Sequence, residues 1–307
     1  MKRLLLVYNP RSSHFWKVDR DVITKARSLR GFMVGKYEIK DTDVDDNAEK
    51  LSRLIMDGDI VVAAGGDGTA TIAMNGVMLA AKDNVRLGVM GYGNFNDFAS
   101  ACGNLGFDEI MATEAKEAWP LECRVDEKHW RYAMCYFTAG MFAESCAVFD
   151  KPKVRKKMQK KHARKGFCGS ICSLAGWWFR NKKKCFLPES FELIGSAEEG
   201  VECKGCSDYL AINNKRIAKV MKGGNFLDKK DAFLSHTGNM RGVFALFCFM
   251  VRSMFKEVPG FESEYDMLSF NEPADVMLQG EGEYKKFEQI RKIEIKKAER
   301  PVLLIQK

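Results

Sequence analysis

Apolar and polar positions in the first third of the chain alternate between two periods. Leu4 to Tyr8 is a short continuous apolar run ended by Asn9-Pro10, as expected of a strand buried on both faces. Val18 to Arg30 has helical spacing, Met33 to Ile39 alternates, and Val44 to Met56 carries Leu51, Leu54 and Ile55 on one helical face. Ile60 to Ala64 is again a buried strand, Thr69 to Ala81 an apolar helix, Val85 to Met90 a strand, and Asn96 to Cys102 a helix stopped by Gly103. Strands and helices taking turns predict parallel βαβ units, in which ligands bind outside the carboxyl ends of the strands. After Trp119 the pattern changes. Leu121 to Val125 and Trp130 to Phe137 read as a hairpin about Asp126-Glu127-Lys128. Phe191 to Ile194, Tyr209 to Asn213, Asp275 to Leu278 and Ile290 to Ile295 are further short strands, so the later part is expected to be antiparallel β. The shift falls near Lys116 to Pro120, giving domains over 1–118 and 119–299.

Composition narrows the class. With 307 residues, 46% hydrophobic and 29% charged, the chain is a folded protein large enough for one big or two ordinary domains. The longest apolar run, Val243 to Val251, is nine residues, short of the ~20 that cross a bilayer. Basic residues precede the first apolar stretch, but Asn9-Pro10-Arg11 ends it too early for a signal peptide, and ten Cys without such a signal predict a reducing, cytoplasmic setting. The pair Cys203-Lys204-Gly205-Cys206 has no second pair at zinc-finger spacing and reads as two thiols flanking a turn, against a metal or redox pair.

Charge is concentrated in one segment. Residues 151–184 hold thirteen Lys and Arg and no acid, so against an overall +8 the rest of the chain carries −5. Between the two basic halves lie Phe167, Ile171, Leu174, Trp177, Trp178 and Phe179. Cations flanking rings suit an anionic membrane surface, where each contributes ~1 kcal/mol. A solvated charged helix beside a core helix is the plainer alternative, and no recognition motif supports nucleic acid as the partner. Met240 to Phe255 is a second helical insertion, with Phe244, Phe247, Cys248, Val251 and Phe255 on an apolar face.

Candidate chemistry lies in the turns that follow the early strands. Gly65-Gly66-Asp67-Gly68-Thr69 leads from a strand into a helix whose N-terminus offers N–H groups and positive dipole to a phosphate. Asp67 among glycines repels phosphate itself and implies an intervening cation, magnesium, or a hydroxyl. A plain glycine turn with a helix-starting Asp and Thr leaves two glycines idle. Gly91-Tyr92-Gly93-Asn94-Phe95-Asn96-Asp97-Phe98 forms a second such loop and Asn9-Pro10-Arg11-Ser12-Ser13 a third polar turn, all on one edge.

These residues resemble the diacylglycerol kinase catalytic-domain family in its bacterial lipid kinase branch, related to sphingosine and ceramide kinases and more distantly to NAD kinase. Asn9 to Ser13, Gly65 to Thr69 and Gly91 to Ala99 match its motifs in order. The resemblance implies an N-terminal Rossmann-like α/β domain, completed by a last strand over Val302 to Ile305, and a C-terminal antiparallel β-sandwich, with ATP in the cleft. It implies nucleotide contacts at Asn9, Thr42, Gly65, Gly66, Asp67, Gly68, Thr69, Gly93, Asn94 and Asn96. It places a structural Mg2+ on Asp228, Asp231 and the carbonyl of Phe233. Gln279-Gly280-Glu281 stands where the family has D-G-E, whose Glu is the proton acceptor, so Glu281 and Asp67 are the expected catalytic residues. Asn225 and Leu227 replace Pro and Ala in the metal loop, Asp231-Ala232 replaces Asp-Gly, and Gln279 replaces a carboxylate beside the base. The expected activity is transfer of phosphate from ATP to a hydroxyl of a membrane lipid (diacylglycerol, phosphatidylglycerol or a sphingoid) by a cytoplasmic protein peripheral at the membrane. The rivals are a soluble-substrate kinase of the NAD kinase type and a nucleotide- or lipid-binding sensor without turnover.

Overall fold

The computed structural model describes residues 2–12, 14–41, 43–93, 96–149, 176–177, 180–181, 186–195, 200–217, 221–239 and 243–307. The first apolar run forms β1 (Lys2–Tyr8). It is buried on both faces because helices cover both: Leu5 and Val7 enter one core cluster with Met74 and Val77, whereas Leu4, Leu6 and Tyr8 enter another with Val18, Val22 and Ile110. Successive helical pieces Phe15–Val18, Asp19–Ile23 (a π turn) and Thr24–Arg27 make α1. Then come β2 (Phe32–Glu38), α2 (Val44–Ser52), β3 (Ile60–Gly65), α3 (Asp67–Ala80), β4 (Arg86–Gly91) and α4 (Asp97–Ala101). Asp43 starts α2 by accepting the amides of Asp45 and Asp46, the usual N-cap arrangement. The six-stranded sheet has the order β2-β1-β3-β4-β18-β5, where β5 is Ala115–Ala118 and β18 is Val302–Ile305. Its pairs are parallel except β18 with β5. The last strand of the chain thus lies inside the first sheet.

Residues Leu121–Val125 (β6), Lys128–Ala133 (β7), Tyr136–Gly140 (β8), Ser190–Gly195 (β9), Gly200–Lys204 (β10), Asp208–Ile212 (β11), Phe233–Gly238 (β14), Phe261–Ser263 (β15), Tyr265–Gly280 (β16) and Glu283–Lys297 (β17) form a ten-stranded antiparallel sheet. Arg216–Ile217 (β12) and Met221–Lys222 (β13) pair separately. Its two layers belong to one continuous sheet. The β16–β17 hairpin shifts register between Ser269 and Val276, so that the first part of β16 pairs β9 and the last part pairs β8. The layers face each other through Trp130 on Phe137 at 5.7 Å and through the Tyr209 hydroxyl, which donates to Asp266 at 2.7 Å.

Several sequence-based boundaries move. The helix expected over Val44 to Met56 ends at Ser52, leaving Leu54 and Met56 exposed. A short helix, α5 (Phe107–Ala112), and the polar edge strand β5 were not expected; β5 is paired by β18 from the far end of the chain, which gives no local signal. The run Trp130 to Phe137 breaks into β7 and β8 because the Cys135 amide turns aside to Glu281 and its carbonyl accepts from the Asn213 amide. The expected strands Asp275 to Leu278 and Ile290 to Ile295 are parts of β16 and β17.

α3 joins the two domains. Every residue from Thr69 to Met78 is buried, which explains a helix apolar nearly all round. Its Asn75 side chain accepts from the Tyr132 amide at 2.8 Å and donates to the Tyr132 carbonyl at 3.0 Å, pairing with β7 as a strand would. Arg131 donates from Nε and Nη2 to Asp45 of α2, at 2.9 and 2.6 Å. The Arg300 guanidinium donates to the carbonyls of Val77 and Met78, where it meets the negative end of the α3 dipole. Replacing Asn75 by Ala strips both polar groups of Tyr132 of their partner, so Asn75→Ala is expected to cost about 2 kcal/mol or more in urea unfolding.

Candidate functional site

The three polar turns share one edge of the first sheet. Tyr8 is in register with Ala64, and Gly65 with Gly91. Strand order reverses between β1 and β3, so the crevice opens where their carboxyl ends lead into Asn9 and Gly65, the position at which open α/β sheets bind ligands. Asn9 shapes its own turn: its Oδ1 accepts the Arg11 amide at 2.9 Å and its carbonyl accepts the Ser12 amide at 3.1 Å.

The two glycine loops are packed against each other. A Cβ on Gly93 would lie 2.6 Å from the Cα of Gly66, and one on Gly66 would lie 3.3 Å from the Cα of Gly93. A Cβ on Gly68 would meet the Glu283 carboxylate at 2.5 Å, and one on Gly65 would meet the Thr69 hydroxyl at 2.4 Å. Packing of the two loops therefore demands a glycine most strictly at 93, whose Cβ would meet backbone, while a Cβ on Gly68 would only displace the end of the Glu283 side chain. Asp67 closes the same contact. Its Oδ2 accepts the Asn96 amide at 2.8 Å and its Oδ1 the Phe98 amide at 3.3 Å, tying the glycine loop to the next one. Asn96, in the left-handed region at φ 57°, returns its side chain to Gly93, accepting from the amide at 2.7 Å and donating to the carbonyl at 2.9 Å. Thr42 and Asn94 lie outside the described residues.

Glu281 comes from the second domain. It and Gly282 form the two-residue turn between β16 and β17, with φ 53° and 90°, the pair of positive values of a type I′ hairpin. Glu is a poor residue for that position, and backbone strain of this kind gathers at functional sites. The side chain is 2% exposed. Its Oε1 accepts the Cys135 amide at 2.6 Å, and its Oε2 lies 3.2 Å from the Thr71 hydroxyl on the first turns of α3. Burial, with the Asp67 carboxylate nearby, pushes the Glu281 carboxyl up to about 7. Burial and the neighbouring Asp97 push Asp67 up to about 6. Asp97 is itself 4% exposed and accepts a long contact, 3.5 Å, from the Tyr136 hydroxyl. Thr71, Cys135 and Tyr136 carried no sequence signal, being ordinary residues placed by tertiary contact; Asp97 could have been found from its place in the loop.

Gln279 does not touch the turn. Its Oε1 accepts the Thr138 hydroxyl at 2.7 Å across the β8–β16 pair. Glu281 is held by the Cys135 and Met134 amides and the Thr71 hydroxyl instead.

The expected metal loop is differently arranged. Asp228 and Asp231 are exposed, and Phe233 is buried within β14 opposite Ser263. Among the described residues, no group of three or more His, Cys, Asp or Glu is placed to hold a metal ion.

An α/β domain and an antiparallel β domain meet at a junction that carries the glycine loops and a buried acid. The sequence model of the diacylglycerol kinase catalytic domain matches residues 3–119 of this chain. A diacylglycerol kinase of Bacillus subtilis (strain 168) is 36% identical over 121 residues, 37% of this chain and 37% of that protein. One from Staphylococcus saprophyticus is 35% identical over 103 residues, 33% and 32% of the two chains. The chain thus spans about a third of the length of the curated relatives it matches. The crystal structure of a diacylglycerol kinase from Bacillus anthracis str. Sterne superposes with TM-score 0.69 over 100% of this chain and 97% of that one, at 12% identity, and shows the fold.

The Glu281 shift fixes the sign of a pH effect. An unfolded Glu ionises near 4.5, whereas the folded one keeps its proton to about 7, so folding takes up a proton in between and stability falls as pH rises through that window. The expected loss at Glu281 is up to about 3 kcal/mol. Urea titrations from pH 4.5 to 8 should show a shallower decline for Glu281→Gln than for the wild type.

Proposed function

We propose that this protein is an ATP-dependent lipid kinase, which transfers the γ-phosphoryl group of ATP to a hydroxyl of a membrane lipid. The observation that carries this reading is the position of Glu281. A carboxylate with a pKa near working pH is directed by Cys135 at the first turns of the glycine-loop helix, where it suits a general base for an alcohol.

In this reading the loop amides after Gly65 and the N-terminus of α3 bind the phosphates, and Asn9, Thr42, Gly93, Asn94 and Asn96 shape the nucleotide side of the crevice. Phosphoryl transfer asks the protein chiefly to position groups and stabilise charge. Asp67 aligns the two glycine loops, and Glu281 takes the proton from the attacking hydroxyl as the phosphorus–oxygen bond forms. Asp67 and Asp97 beside the phosphates fit Mg2+, which is commonly held by one or two carboxylates with substrate oxygens completing the shell. The ion would neutralise charge on the transferred group.

A lipid acceptor is favoured by α6 (Val243–Phe255). Val251, Met254 and Phe255 are 37%, 45% and 71% exposed and Cys248 is exposed, while Phe249 turns inward between His236 and Phe142. A soluble acceptor does not require that outward apolar face. Among the described residues no helix is long and apolar enough to cross a membrane. The basic residues of 151–184 lie outside the described residues except Arg180, which is exposed. Trp177, expected at the membrane, is instead 9% exposed and packs on Phe186, so that ring is core.

With γ-labelled ATP, Mg2+ and mixed-lipid micelles, the expected product is a labelled lipid. Glu281→Gln should lower the rate by about 10^2 to 10^4-fold while nucleotide still binds, and Asp67→Ala should weaken nucleotide binding as the loops separate. Label entering NAD would instead establish the soluble-substrate kinase, and ATP binding with no labelled product would establish a sensor. Docking through 151–184 predicts that co-sedimentation with anionic vesicles falls with salt and on joint neutralisation of Lys156, Lys157, Lys160 and Lys161. Binding unchanged in both cases would refute that surface.

A further inference from the structure

The loop between Phe226 and Phe233, expected to hold a divalent ion, is organised around a side chain from elsewhere in the sequence. Lys297, the last residue of β17, is 6% exposed. Its ammonium donates to the Trp119 carbonyl at 3.0 Å, to the Phe226 carbonyl at 2.7 Å and to the Asn213 side-chain oxygen. Three oxygen acceptors match three N–H donors, which the charged form has and a neutral amine does not. The acceptors are themselves fixed. Asn213 donates its amide to the carbonyls of Trp119 and Met134 at 2.9 and 2.8 Å, its carbonyl accepts the Phe226 amide at 3.1 Å, and the Trp119 amide donates to Leu227 at 2.7 Å. Two backbone carbonyls and an amide oxygen converging on one buried point form the oxygen shell a hard cation would select. Burial pushes the Lys297 amine down to about 7 against the Asp228 and Asp231 carboxylates at the rim, and the three oxygen acceptors favour its charged form.

The geometry points to Lys297 as a built-in cation that takes the place of a structural metal ion in this loop. Asp228 and Asp231 then act at a distance as counter-charges to the ammonium, and the loop needs no divalent ion to fold. The niche binds Trp119, just after β5, to both the Asn213 turn and the Phe226 loop, so it holds three separate segments of the second domain together. This inference is independent of the activity proposed above, and its test does not require turnover.

The measurement is the melting temperature of the full chain without nucleotide, stripped with EDTA and then returned to millimolar Mg2+ or Ca2+. Wild-type protein is expected to melt at the same temperature in all three conditions, because an ion bound well above its Kd would raise it by several degrees. Lys297→Met keeps length and loses charge, leaving three acceptors unpaired, and is expected to melt about 5 °C or more lower. Two results would overturn the assignment: a wild-type melting temperature that rises with Mg2+ or Ca2+ and loses that rise in Asp228→Asn/Asp231→Asn, or a Lys297→Met protein as stable as wild type. A rise that survives the double Asn substitution originates away from the loop and agrees with the assignment. If Lys297→Met does not fold, the wild-type and Asp228→Asn/Asp231→Asn measurements still decide whether the loop takes a metal.

Discussion

Burying one carboxylate at the junction of two domains is the constraint around which this molecule is arranged. Glu281 belongs to the β domain, its amide donor Cys135 to the break between β7 and β8, and its hydroxyl neighbour Thr71 to the α/β domain. A group with partners on both sides gives useful geometry only if the sides do not slide. That is the physical sense of the Asn75–Tyr132 pairing, the Arg131–Asp45 ion pair and the Arg300 cap on α3, all of which cross the same junction. The helix that begins at the glycine loop is thus also the one that meets Glu281. Displacement of α3 would disturb the glycine loop and the Glu281 carboxylate together.

Electrostatics adds a second requirement. Asp67, Asp97 and Glu281 are acids whose mutual repulsion and burial raise the pKa values of Asp67 and Glu281, a costly cluster that no fold needs for stability. Asp67 recovers part of that cost through the backbone amides of Asn96, Asp97 and Phe98, and Glu281 through those of Cys135 and Met134 and the Thr71 hydroxyl. Two raised carboxyls beside a glycine-lined crevice are explained by a task in which negative charge is delivered with a cation and a proton is accepted near neutral pH. Gln279 is consistent with that task. Its amide completes a cross-strand hydrogen bond with Thr138, so loss of a carboxylate at 279 alters the sheet and leaves the turn that presents Glu281 in place.

Legibility in the sequence followed the range of the interactions. The parallel order of the first domain and its three turns were readable because each strand, turn and helix is set within about ten residues. Asn9, Gly65 to Thr69, Gly93 and Asn96 do lie at one edge, although their observed contacts show the glycines serving loop packing as much as anion approach. What escaped notice depends on distant residues. Polar β5 is a strand only because β18 pairs with it, and Cys135 is a site residue only because Glu281 arrives from 146 positions away. Trp177 shows the opposite error: aromatic composition beside lysines suggested a membrane ring, and packing against Phe186 made it core.

Strand β17 ties these points together. Glu281 lies two residues before its first residue, Glu283, and Lys297 is its last, so one strand connects two buried charges of opposite sign. Each is buried without a full ionic partner and is compensated mainly by dipoles: an amide and a hydroxyl for the carboxylate, two carbonyls and an amide oxygen for the ammonium. Dipolar compensation makes each charge depend on backbone placement more strictly than an ion pair would, because carbonyls and amides cannot change rotamer to follow a displaced charge. A shift of β17 by one residue would turn Lys297 to the other face of the sheet, leave its three acceptors unpaired and displace the turn that presents Glu281. The register of this single strand is therefore fixed at both ends by polar contacts as well as along its length by apolar ones, and the domain junction inherits that precision.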